Sequence, residues 1–150
     1  IADRILKRLK FDNHKRNVIT RLIRYHYENI FGLDDDAFRK KISEIGPGYM
    51  EYLFRCHRAD NAAKAPEGFD RVMSKIDAAY DQYRAIIKRG EPLSIKELAV
   101  TGKDLLEAGV EPGKEVGREL ERLLDAVLSD PGLNNREDLL ALLTNNKTGT

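Results

Sequence analysis

Apolar residues recur at spacings of three and four along almost the whole chain, which is the pattern of amphipathic helices. Val18, Ile19, Leu22, Ile23, His26 and Ile30 share one arc of a helix expected over 15–31, with Arg21 and Arg24 opposite. Gly32 is placed to stop it as a left-handed cap. Asp34, Asp35 and Asp36 then supply an N-cap and first-turn acids for a helix carrying Ala37, Phe38, Ile42 and Ile45. Gly46-Pro47-Gly48 breaks the chain, and Pro47 can open the next helix, expected over 49–64 with Met50, Leu53, Phe54 and His57 inward. After Ala65-Pro66 comes the longest periodic stretch. Phe69, Val72, Met73, Ile76, Tyr80, Tyr83 and Ile87 define an amphipathic helix of about six turns ending at Gly90.

Beyond Gly90-Glu91-Pro92 the helices shorten and helix-start signals recur. Ser94 with Glu97, Thr101 with Asp104, and Asn134 with Glu137 each have capping-box spacing. Between them, Val116, Leu120, Leu123, Leu124, Val127 and Leu128 fall on one helix stopped by Asp130-Pro131-Gly132. No alternation of period two marks a strand, and no internal repeat is present. The expectation is an all-α helical bundle of about seven to eight helices, with a long connecting helix and a small helical C-terminal domain containing a helical hairpin. Its domains are expected at 1–65, 66–90 (the long helix) and 91–143, followed by a disordered tail over 144–150.

Composition narrows the class. With 150 residues, 41% of them hydrophobic and 34% charged, the chain suits one charge-rich helical domain or two small ones. No apolar run reaches the ~20 residues of a membrane span, so no membrane partner is expected. No signal-peptide pattern appears, and the single cysteine, Cys56, agrees with a reducing, cytoplasmic setting. A first residue of Ile1 rather than Met suggests a fragment whose upstream partner is missing. The net charge of +1 hides an asymmetry. Residues 1–24 carry eight Lys/Arg against two acids, 25–90 balance at eleven each, and 91–143 carry six bases against twelve acids.

Candidate chemistry follows from these patterns. The stretch TGKDLLEAGVEPGKEVGRELERLL looks at first like a phosphate cradle. A P-loop needs Gly-x-x-x-x-Gly-Lys followed by Ser or Thr, whereas Gly109 to Gly113 is one residue short and Glu115 follows Lys114. Two short helices joined at Gly109-Val110-Glu111-Pro112-Gly113 fit better. The second helix start could attract a phosphate through its unpaired amides, with Gly117 open to close approach. Simple tight helix packing explains the same glycines equally well. Arg4, Lys7, Arg8, Lys10, Lys15, Arg16, Arg21 and Arg24 cluster on two consecutive helices and can neutralise phosphates or form a solvated face; Tyr25 and Tyr27 follow, able to stack or to pack. His14, His26, His57, Cys56 and Asp60 invite a metal reading, but no close His-Asp or Cys-x-x-Cys pair completes a ligand set. Cys56 lacks the base and orienting partner of a catalytic thiol.

The run VTGKDLLEAGVEPGKEVGRELERLLDAVLSDPGLNNREDLLALL, 100–143, resembles the C-terminal domain of bacterial CCA-adding enzymes, tRNA nucleotidyltransferases of the poly(A)-polymerase-like class. Gly102, Asp104, Leu105, Gly109, Val110, Pro112, Gly113, Val116 and Gly117 match that pattern in order and spacing. Upstream, LKRLKFDNHKRNVITRLIRYHY and LFRCHRADNAA resemble the closing half of the HD-type domain that these enzymes often carry. The resemblance implies a parent that adds CCA, or part of it, to tRNA 3′ ends from CTP and ATP. Two Mg²⁺ ions on carboxylates of a head domain would drive the reaction, and a neck would select the base. Neither head nor neck matches anything in this chain, which is expected to be the tRNA-holding body and tail and to be inactive alone. The tRNA contacts it implies are Arg16, Arg21 and Arg24 on the basic helix and Lys103, Gly113, Lys114 and Arg118 at the hairpin. Asp60 would match the last metal-ligating Asp of HD hydrolases, whose His-Asp dyad is not in these residues. The alternative is a fragment of an HD-type metal-dependent phosphohydrolase with a helical appendage.

Overall fold

The structure is a computed structural model that describes residues 1–64 and 68–145. Among the described residues there are eight α-helices, three single 3-10 turns and no strand, so the fold is all-α. The helices are α1 (Ala2–Arg8), α2 (Asn13–Tyr25), α3 (Asp35–Ile45), α4 (Met50–Ala62), α5 (Phe69–Arg89), α6 (Gly102–Glu107), α7 (Lys114–Ser129) and α8 (Arg136–Asn145). None is long and apolar enough to cross a membrane. The expected break at Ala65-Pro66 and the last part of the expected tail, 146–150, lie outside the described residues. Two compact units alternate along the chain: 1–33 with 44–85, and 34–43 with everything from Ile86 onward.

In the first unit, α2 begins where Asp12 accepts the Lys15 amide at 2.8 Å, a side-chain cap on an otherwise orphan donor. It ends at Tyr25, six residues before the end that its apolar arc predicts. The cause is local. The His26 ring takes the Ile23 carbonyl at 2.9 Å, and because a carbonyl only accepts, Nδ1 must be the protonated donor. Ile30 is fully buried all the same, but from a loop rather than from a helix. Gly32 does adopt a left-handed φ of +69°, within that loop and not at the helix end. Pro47 opens a 3-10 turn, Pro47–Tyr49, that leads into α4. Met50, Leu53 and Phe54 are buried from α4 as expected, while His57 is only half-buried.

The unit's core closes on α5 through Ile76, Ala79 and Tyr83. Phe54 meets Tyr80 edge-on at 5.2 Å and Tyr83 at 5.7 Å, an arrangement that aromatic rings favour. The length of α5 agrees with the apolar period, but its phase drifts from the expected one. Val72 and Ile87 are exposed, and Ile86 takes the buried position.

In the second unit, Asp34 caps α3 by accepting the Ala37 amide at 2.8 Å. Leu98, Val100, Leu105, Leu123, Val127, Leu139 and Leu143 form a buried cluster drawn from α6, α7, α8 and the segment before them. Of the three capping-box spacings, Thr101 with Asp104 forms the complete reciprocal box. At Ser94 the acid alone reaches back, Glu97 accepting from the Leu93 amide and the Ser94 hydroxyl. At the third, the cap falls one residue later than expected. Asn135 caps α8 by accepting the Asp138 amide at 2.9 Å. Asn134 instead bridges the segment before α6, accepting from the Ala99 amide at 2.8 Å and donating to the Glu97 carbonyl at 2.9 Å.

Candidate nucleic-acid interface

The hairpin in the second unit is built by its end residues. Thr101 starts α6, and Asp104 returns the bond to the Thr101 amide at 2.7 Å. At the other end Gly109, with φ +83°, donates to the Leu106 carbonyl, and Val110 donates to the Leu105 carbonyl, both at 3.0 Å. That pair of bonds is the Schellman arrangement, which requires a left-handed residue where the glycine sits. Val110 then packs against the buried cluster, as the residue after such a cap commonly does. Gly113, at φ +101°, opens α7 without any side-chain cap, so no side chain of the N-cap residue satisfies its first-turn amides.

Lys114 opens α7, Arg118 follows one turn on and Lys103 lies in α6, while Glu111 and Glu115 stand on either side of the same start in sequence. The Lys103 side chain is 84% exposed and that of Arg118 72%. Each has an acid one turn away, Glu107 at 3.7 Å and Glu115 at 3.1 Å. Lys114 is exposed and forms no ion pair with any described residue. The close approach of α6 and α7 is set at Gly102, where a Cβ would meet Val116 Cγ1 at 3.2 Å. Gly117, by contrast, has open space around its Cα, so it is not a packing glycine. Asp104 is also held by Arg136 at 2.7 Å, and the Thr101 hydroxyl, the Thr101 amide and Arg136 together keep its carboxyl well below the usual carboxylate range.

The basic helix of the first unit divides by role. Arg16 is fastened to Asp3 through Nε at 3.0 Å and Nη2 at 2.8 Å and also reaches Asn13, which ties α1 to α2. Arg21 donates to the Glu44 carbonyl at 3.1 Å and lies 5.2 Å from the Tyr49 ring centre. Arg24 is exposed and lies 5.3 Å from the Tyr25 ring centre. Of the three, Arg24 presents its guanidinium outward, Arg16 is largely a structural clasp, and Arg21 is intermediate.

On the same unit, His26, His57 and Asp60 come together around one cavity. Asp60 is paired with Lys64 at 2.6 Å, and that bond, with the lysine charge, lowers its pKa. Burial lowers the pKa of His57, against the raising effect of Asp60. Among the described residues no group of three His, Cys, Asp or Glu side chains is placed to hold a metal ion. Of the other residues that line this cavity, Phe31 and Lys64 belong to no motif in the sequence, whereas Tyr27 is one of the two tyrosines that follow the basic run.

The chain is thus an all-α protein with a glycine-capped hairpin in one unit and a basic helix in the other. The family model of tRNA nucleotidyltransferase domain 2 matches residues 1–143, and the chain belongs to that family. No curated protein and no solved structure gives a significant match.

Proposed function

We propose that this chain is the tRNA-holding body and tail of an enzyme that adds CCA to tRNA 3′ ends from CTP and ATP. In this reading the polymerising carboxylates and their Mg²⁺ belong to a head domain outside these residues. The family match carries it, together with the start of α7, which has no side-chain cap and carries exposed Lys114, with exposed Lys103 on α6 and Arg118 one turn into α7. Backbone amides and the helix dipole favour a phosphate there, and neighbouring cations add sequence-independent attraction. Arg24 and Arg21, beside the Tyr25 ring, extend the same chemistry on the other unit. Beginning within an HD-like helical domain is part of this reading. It rests on the upstream sequence likeness, with Asp60 as the residue in the ligand position.

The test is binding of a tRNA minihelix to the 150-residue chain across a salt series. The reading expects weak binding whose logarithm falls linearly and steeply with the logarithm of salt. Sub-micromolar, salt-insensitive binding would contradict it. Incubation with tRNA, Mg²⁺, CTP and ATP should give no extension, and any incorporation would overturn the assignment of polymerisation to another domain.

A further inference from the structure

The cavity of about 320 Å³ in the first unit, between the end of α2, the loop that follows it, α4 and α5, is lined with chemistry that the tRNA reading does not use. Tyr27 stands at its edge with 91% of its surface exposed, its ring 3.8 Å from that of His26. Phe31 meets His57 edge-on, centroids 5.0 Å apart at 69°. Val72 and Ile76 supply apolar lining. Among the described residues, His57 Nε2 is buried and has no hydrogen-bond partner. A buried polar atom left unpaired forfeits a hydrogen bond, which makes it unusual in a native fold and a candidate for a ligand contact. At the rim, the Lys64 ammonium is 67% exposed and paired with Asp60.

These features select among ligands. A purely apolar molecule would leave Nε2 unpaired, and a bare anion would make no use of the rings. A flat heteroaromatic ring with polar atoms at its edge uses both. The volume is at the small end of ligand sites, which run from about 300 Å³ upward, so it suits one ring system with its substituents outside. We propose that this cavity takes one unstacked nucleobase, stacked on Tyr27 and hydrogen-bonded at its edge by His57 Nε2, with its phosphate directed to Lys64. No metal ion takes part. A base of an RNA strand and a base of a free nucleotide share this chemistry. The inference rests on the cavity alone, so failure of the phosphate-contact reading at α2 or α7 leaves it standing.

The experiment titrates the full chain, in EDTA, with each of the four ribonucleoside 5′-monophosphates, with ribose 5-phosphate, and with oligo(A) and oligo(C) ribotrinucleotides. Ring NMR signals of Tyr27 and His57 are followed. At least one base-bearing ligand should shift both rings, and ribose 5-phosphate should shift neither. Shifts with trinucleotides alone assign the base to an RNA strand, and shifts with mononucleotides as well assign it to either source. Tyr27→Ala should weaken binding about tenfold through loss of the stacking ring, and His57→Phe about tenfold through loss of the Nε2 hydrogen bond. Should His57→Phe fail to fold, Tyr27→Ala, at an exposed ring, decides alone. Equal binding of ribose 5-phosphate, unchanged affinity in the Tyr27 variant, a requirement for added divalent cation, or no shift with any ligand would each overturn the proposal.

Discussion

Arg39 Nε donates to the Leu128 carbonyl at 2.6 Å from a side chain that is 8% exposed, closing the C-terminal end of α7 from α3. Nη2 takes the Ser129 carbonyl at 3.2 Å, and Nη1 pairs with Glu91 at 3.1 Å, itself 12% exposed and held also by Arg89. Two orphan carbonyls of a helix end thus depend on a single guanidinium, which also shares the Glu91 carboxylate with Arg89. Arg39→Leu should destabilise the fold by about 2–4 kcal/mol, because it leaves the two carbonyl acceptors unpaired and removes one of the two partners of Glu91. Arg39→Lys should recover only part, since an ammonium cannot reproduce the planar fork. Urea unfolding decides it. A midpoint within error of wild type for the leucine variant would show that the clasp is energetically idle.

The α6 cap offers a second measurable contribution. Thr101→Ala removes the hydroxyl that accepts the Asp104 amide and donates to its carboxylate at 2.6 Å, and should cost about 1 kcal/mol. Asp104 is held below its ordinary 3.8 in the folded chain. The unfolded chain therefore binds more protons as the pH drops below that value. The stability that Asp104 contributes is present above 3.8 and lost as pH falls toward the folded value. Asp104→Asn should flatten that part of the acid limb in a pH series of thermal midpoints. An unchanged limb would count against the linkage.

His57 titrates in a different window. Its folded pKa lies below the ordinary 6.5, because burial disfavours the imidazolium, helped by the charges of His26 and Lys64 and opposed by Asp60. Below 6.5 the unfolded chain takes up a proton that the folded one resists, so stability should be level above this pH and decline beneath it. His57→Gln removes the titrating ring and should abolish the decline between pH 6.5 and 5. Persistence of an identical slope in the variant would assign it to other groups.

How far the sequence disclosed all this varies with the kind of interaction. Local patterns carried well: the Asp34 cap, the Thr101 box and the left-handed Gly109 are decided within four residues of chain, and all three form. Competition between a side chain and the backbone did not carry. The His26 ring ends α2 at a point where the apolar period still looks helical, and Ile30 reaches the core from a loop. Nonlocal bonds carried least. Arg39 carries no signal of its role, since nothing near it in sequence announces the carbonyls of Leu128 and Ser129. The candidate cations were legible as a charge run, but not their division. Only the fold shows that Arg16 is engaged by Asp3 while Arg24 points outward.

That division makes the phosphate-contact reading separable by mutation. Arg24→Glu reverses an exposed charge and gives up only its contact with the Tyr25 ring, whereas Arg16→Glu would also break the clasp to Asp3 and confuse loss of binding with loss of fold. Lys114→Glu does the same for the hairpin, at a residue without an ion pair among the described residues. If both surfaces touch the tRNA backbone, each substitution should weaken minihelix binding and lower the slope of log affinity against log salt by about one unit. The double variant should lose about two, because counterion release adds over independent phosphate contacts. Thermal midpoints should stay near wild type in all three, as expected of surface changes. A slope altered by Lys114→Glu alone would confine the contact to the α7 helix start. A slope altered by neither, with fold intact, would show that tRNA is held elsewhere and that the basic helix is only a solvated face.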